Sequence, residues 1–270
     1  MIVESHDTIT ETWISGTERL IAAGGDAFTS ILHVRRPGEP HGFELPARLL
    51  LDEMLTRMGN FDTEAVANTI FPHAMARNRT AEALYERYLT RTYPRLRRLS
   101  QNRRGTYFHR LIHHQGVDKQ GIVKNRNPLA DVVSKMRGAL GEPHTIRSAY
   151  ELAVYRPSLD AKVRMGFPCL SHISLKVEPS ARLVHLSAIY RNQYYMARAY
   201  GNLLGLSRLQ AFIARELDLG VGELVCHATH AHLDASVNAT RSLLVAMRQA
   251  LSIVAASHSA APSVHATAEG

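Results

Sequence analysis

Apolar and polar positions in this chain follow two rhythms, one with a period of about 3.6 residues and one that alternates strictly. Residues 8–24 have the helical rhythm, and so does L-P-A-R-L-L-L-D-E-M-L-T-R-M from Leu45. T-A-E-A-L-Y-E-R-Y-L repeats it, with Thr80 placed to cap the first turn. L-A-D-V-V-S-K-M-R from Leu129 follows N-P, which puts proline where a helix has no use for its missing N–H. Between the first two helices, T-S-I-L-H-V-R-R at 29–36 reads as a strand closed by the turn P-G-E-P.

The second half changes texture. Y-E-L-A-V-Y-R-P at 150–157 reads as a strand. S-H-I-S-L-K-V sends Ile173, Leu175 and Val177 to one side, E-P-S-A makes a turn, and R-L-V-H-L-S-A-I-Y returns as the second arm of a hairpin. From Met196 the period becomes helical again. Ala199, Tyr200, Leu203, Leu204, Leu209 and Phe212 give a face too broad for a helix lying on a surface. G-E-L-V-C-H-A-T-H-A-H-L-D is strand-like, and a last helix follows from Val237. Helices mixed with an antiparallel hairpin predict an α+β fold, a mixed β-sheet flanked by helices. With no repeat and no internal linker, residues 1–256 read as one domain, and the small, polar stretch 257–270 as a disordered tail.

Composition narrows the classes. Of 270 residues, 45% are hydrophobic and 21% charged, which is enough apolar material for a folded core. No run of about 18 uncharged apolar residues predicts a membrane helix. The opening M-I-V-E-S-H-D-T lacks the profile of a signal peptide, and Cys169 and Cys226 make no disulfide framework, so a cytoplasmic protein is expected. The formal charge of +8 gathers partly in residues 87–110, where Tyr88, Tyr93, Tyr107 and Phe108 are interleaved with arginines. That stretch is either a solvated basic face or a surface for phosphate. No recognised nucleic-acid module accompanies it, so a nucleic-acid partner is not expected.

Three stretches are candidates for chemistry. In F-P-C-L-S, Cys169 is either a small core hydrophobe or a nucleophile, and the second role requires neighbours that favour the thiolate. In Y-R-N-Q-Y-Y-M-A-R-A-Y-G-N, Arg191 ends a strand where an anion can be met, and Asn202 falls in an apolar helix. In C-H-A-T-H-A-H, Cys226, His227, His230 and His232 invite a zinc reading, but no second ligand pair at finger-like spacing exists and no metal is expected. An extended backbone there would put His230 and His232 on one face.

Residues 168–234 together resemble the thymidylate synthase and pyrimidine nucleotide hydroxymethylase family, as a divergent member. The order is P-C, a hairpin, Y-R, Asn202 eleven residues after Arg191, G-L-x-x-L-Q-x-F-I-A, and a strand ending in A-H-L. The resemblance implies a thymidylate synthase-like fold and one-carbon transfer from methylenetetrahydrofolate to C5 of a uracil-type nucleoside monophosphate. The product would be the methyl or hydroxymethyl nucleotide. Cys169 would add to C6, and Arg191 would bind phosphate and lower the thiol pKa. Asn192 would also hold phosphate, Asn202 would read the base edge, and His232 and Asp234 would meet the sugar. Asn68, Tyr107 and Tyr194 would form the wall of the site. A homodimer through the back of the sheet is also implied.

The family pattern is broken in several places. Leu170 replaces its histidine, Tyr194 its folate-binding aspartate, and Tyr150 and Glu151 the arginines that reach across the dimer, with Arg147 and Arg156 only flanking them. Its active-site tryptophan is missing, because the single tryptophan is Trp13. The alternative reading is a non-catalytic or folate-independent nucleotide-binding homologue.

Overall fold

A computed structural model describes residues 1–38, 42–99, 102, 104–117, 119–140 and 148–259; the side chains of 257–259 are not described. The chain opens with β1 (Ile2–His6), α1 (Ile9–Ala22), β2 (Asp26–Ala27) and β3 (Ser30–Val34). A short 3-10 turn (Gly42–Glu44) leads into α2 (Leu45–Arg57), α3 (Thr63–Ile70), α4 (His73–Ala76) and α5 (Ala81–Arg87). A π-helical turn (Tyr88–Thr92) joins α5 to α6 (Tyr93–Leu96), and α7 (Tyr107–Ile112) precedes the hairpin β4 (His114–Val117) and β5 (Val123–Arg126). Then come α8 (Pro128–Ala139), β6 (Glu151–Ala153), α9 (Pro157–Asp160), β7 (Leu170–Glu178), β8 (Leu183–Tyr190) and β9 (Gln193–Tyr194). A second π turn (Tyr195–Ala199) opens α10 (Tyr200–Glu216), followed by β10 (Gly220–Ala228), β11 (Ala231–His232) and α11 (Val237–Ser259).

Among the described residues the main sheet has six strands in the order β1-β3-β10-β8-β7-β6. β7 and β8 pair antiparallel, as the alternation and the turn predict. β8 and β10 run parallel because α10 carries the chain back between them. The sheet is therefore mixed and the fold α+β, in line with the reading of the sequence. Leu175, Leu186, Leu224 and Leu32 point to one face and are buried beneath α1 and α10. Each such leucine contributes roughly 1.5–3 kcal/mol by leaving water. Val3 (53% exposed) and Ile189 (40% exposed) belong to the opposite face, which stays open.

Thr80 caps α5 as expected, its Oγ1 accepting the Ala83 N–H at 3.3 Å. Asn127 likewise caps α8. Two expectations need correction. The strand expected over 222–234 breaks at Thr229 and His230, and only Ala231 and His232 resume pairing, in a separate small sheet. The tail expected from Ser257 is still helical through Ser259, because α11 runs on for that turn; residues 260–270 lie outside the described ones.

Candidate active site around Cys169

Helices α3 and α10 meet at backbone distance. A Cβ on Gly201 would stand 2.6 Å from that of Val66, and one on Gly205 would stand 2.8 Å from the Ala67 carbonyl. Glycine at these two helix positions sacrifices propensity for contact. The start of α10 is fixed as tightly. The Asp234 carboxylate accepts the N–H groups of Met196 (2.8 Å) and Ala197 (3.1 Å), and Trp13 donates to the Tyr195 carbonyl at 2.9 Å. A carboxylate suits a helix N-terminus, where unpaired N–H groups carry partial positive charge. Asp234, expected at the sugar, caps this turn and is not among the residues that line the cleft at Cys169.

Cys169 is set at the mouth of β7 by Arg191. The Arg191 backbone N–H donates to the Cys169 carbonyl at 2.9 Å. Its guanidinium donates to the carbonyls of Phe167 (2.9 Å) and Pro168 (3.3 Å) and lies 3.7 Å from the Phe167 ring centre. Arg191 is a clamp on the segment that carries the cysteine, and it does not line the cleft in front of it.

That cleft has a volume of about 350 Å³. Cys169, Tyr107 and Asn202 line it together, so three of the residues singled out from sequence converge. Arg198 joins them, and sequence reasoning missed it. A signal was present: Arg198 and Asn202 are four apart, which places them on one helix face. Arg198 belongs to the π turn before α10, a rare geometry found often at functional sites. Its guanidinium makes no ion pair among the described residues and lies 5.8 Å from the Phe61 ring centre. Asn202 is only 3% exposed, yet its amide has no hydrogen-bond partner among the described residues.

Burial pushes the Cys169 thiol above its ordinary pKa; the charges of Arg191 and Arg198 pull it down without reversing the shift. The Arg191 charge thus acts in the expected direction, and burial outweighs it. Burial also raises Tyr107, and the nearby thiol adds to that effect, while the backbone of Cys169 and Leu170 acts in the opposite direction. Tyr107 is presented by α7, whose cap, Thr106, accepts the His109 N–H at 3.1 Å and lies 2.6 Å from the Tyr88 hydroxyl.

The remaining expected residues lie elsewhere. Asn68 is turned to Glu64 at 3.4 Å, and Arg208 holds that carboxylate at 2.8 Å through both oxygens. Asn192 meets the His230 ring at 2.6 Å, and His230 in turn meets Asp26 at 3.0 Å. His232 packs edge-on against Tyr194, with ring centres 5.1 Å apart. His230 and His232 do share a side, 6.5 Å apart, but among the described residues no three His, Cys, Asp or Glu side chains are grouped to hold a metal. Arg147 falls outside the described residues. No helix among the described residues is long and apolar enough to cross a membrane.

No protein-family model matches the chain, and no curated protein matches it.

Proposed function

We propose that this cleft binds a uracil-type nucleoside monophosphate and transfers a one-carbon group to C5, as a divergent member of the thymidylate synthase and hydroxymethylase family. The observation that carries the reading is Asn202. The residue is buried but its amide opens into the cleft, where it offers a donor and an acceptor that no described side chain uses. Uracil offers both an N–H donor and a carbonyl acceptor to one amide. Arg198, unpaired at the same cleft, suits the phosphate. In this reading the anion role expected of Arg191 passes to Arg198, and Arg191 positions the nucleophile.

Cys169 Sγ forms a bond to C6, and the C5–C6 π electrons move toward C5 and the O4 carbonyl. C5 then takes an electrophile. Loss of the C5 proton and of the C6–S bond restores the ring. Methylenetetrahydrofolate would supply the unit as a methylene and leave as tetrahydrofolate; water adding to that methylene would give the hydroxymethyl product, and hydride from the tetrahydrofolate would give the methyl product with dihydrofolate. Phe61 (50% exposed) and Leu99 (48% exposed) form an apolar rim that would stack against the flat ring of the folate. A second copy of the chain is the expected partner. It would cover the open sheet face, where Ile189 and Val3 lie among the pairs His172–Glu151 and His33–Glu223.

The test is release of tritium from C5 of uridine or deoxyuridine monophosphate, with and without folate. Release by the native chain and none from Cys169→Ala is the expected result. No release with either nucleotide, or equal release from the variant, overturns catalysis. The cleft has no histidine or carboxylate among its described lining residues, which favours one alternative, a nucleotide-binding homologue without turnover. That alternative predicts a nucleotide-dependent rise in melting temperature with no tritium release.

A further inference from the structure

Behind the Cys169 cleft, on the other side of α7, lies a second cavity of about 700 Å³. Arg97, Arg104 and Arg156 line it with His109, His113 and Tyr93. One carboxylate reaches its wall, that of Asp160, and it is fully used. Arg110 donates to both of its oxygens, at 2.5 and 2.9 Å, and the Arg156 backbone N–H donates at 2.9 Å. Arg110 is saturated in return by the Val154 and Arg104 carbonyls. The other three arginines make no ion pair with any described residue.

The wall is also short of hydrogen-bond partners. Arg156 gives one nitrogen to the carbonyls of Arg110 and His113, but its Nε is buried and unpartnered. His109 stacks on Tyr93 with ring centres 3.6 Å apart, and its Nδ1 is buried and unpartnered too. Arg97 and Arg104 are exposed at the mouth of this half-enclosed space and Arg156 is half-buried in its wall, where burial and the neighbouring Arg110 charge both act against its guanidinium charge. Consistent with that crowding, burial and then the neighbouring cations hold His109 down at about 3.

We propose that this cavity is an anion site for a phosphate dianion, free or carried as a monoester, separate from the nucleotide cleft. A dianion matches the excess of charge better than a single carboxylate. Its tetrahedral oxygens can accept from several guanidiniums at once.

Arg97 and Arg104 are the side chains to change, since neither makes a side-chain hydrogen bond to a described residue. Titration calorimetry of the full chain in phosphate-free buffer should show inorganic phosphate binding with a Kd below about 1 mM. The Arg97→Gln/Arg104→Gln double variant should bind at least tenfold more weakly, and Arg198→Gln should bind as the native chain does. Uridine monophosphate, titrated into Arg198→Gln, shows whether a monoester is accepted at the same place. If the double variant fails to fold, the native chain still decides. Phosphate should then slow phenylglyoxal modification of Arg97 and Arg104, read by mass spectrometry. Absence of binding, loss of binding in Arg198→Gln alone, or unprotected arginines overturns the proposal.

Discussion

Residues 104–110 stand between two cavities that handle polarity in opposite ways. On one side Thr106 and Tyr107 face a cleft whose rim is apolar and where Asn202 and Arg198 have no hydrogen-bond or ion-pair partners among the described residues. On the other side Arg104, His109 and Arg110 face a cavity crowded with cations, where the single carboxylate is completely engaged. Arg110 (1% exposed) has no donor to spare for a ligand, whereas Arg198 gives none of its donors to a described residue. Burial alone therefore does not mark a functional arginine. What distinguishes the two is whether folding has already consumed the hydrogen bonds.

Three experiments press on that difference. The largest effect should come from Asp160→Asn. Asp160 and Arg110 are both about 1% exposed, so the change strands a buried cation. Denaturant unfolding should show a loss of about 3–5 kcal/mol. A loss under about 1 kcal/mol would mean that Arg110 is not held by its carboxylate.

Asn202→Leu should separate stability from binding. Its amide opens into the cleft, so unfolding free energy should change by under about 0.5 kcal/mol, while nucleotide binding weakens at least tenfold. A variant that loses stability and keeps nucleotide affinity would show that Asn202 serves the core and not a ligand.

The smallest effect is a pH slope. Burial and neighbouring cations hold His109 at about 3, below the ordinary value of 6.5. Above pH 6.5 the ring is neutral in both folded and unfolded chains and its contribution is complete. As pH falls from 6.5 toward about 3, only the unfolded chain takes up the proton, so stability declines. The ring is partly exposed, so the slope should be under about 1 kcal/mol per pH unit. His109→Gln should flatten it; an unchanged slope would assign the effect to other groups.

Much of this was legible in the sequence where one face of an element is buried. The hairpin of β7 and β8 announces itself because Ile173, Leu175 and Val177 must all turn inward, and Thr80 and Asn127 announce caps by their chemistry. β1 was missed because its pattern is short and sits at an edge, with Val3 open to water. Helices α3 and α7 were missed because they are short, and packing against α10 and α8 supports them. For the site, Cys169, Asn202 and Tyr107 were found, but spacing says nothing about where long side chains turn. Arg191 and Asp234 lie where a ligand contact was expected, yet both satisfy backbone groups of the chain itself. Arg198 escaped notice because only the fold shows that it lines the cleft without an ion-pair partner among the described residues.

The glycine contact between α3 and α10 sets a limit on what this cleft can evolve to hold. Ala65, Val66 and Thr69 of α3 form one wall, and Arg198 and Asn202 at the start of α10 form another. With Gly201 and Gly205 leaving no side chain between the two helices, the gap between those walls is a property of the backbone. Trimming side chains there cannot bring the helices closer, and enlarging either glycine would wedge them apart. The width of the cleft is thereby built into the frame, while side-chain variation acts on its rim at Phe61 and Leu99.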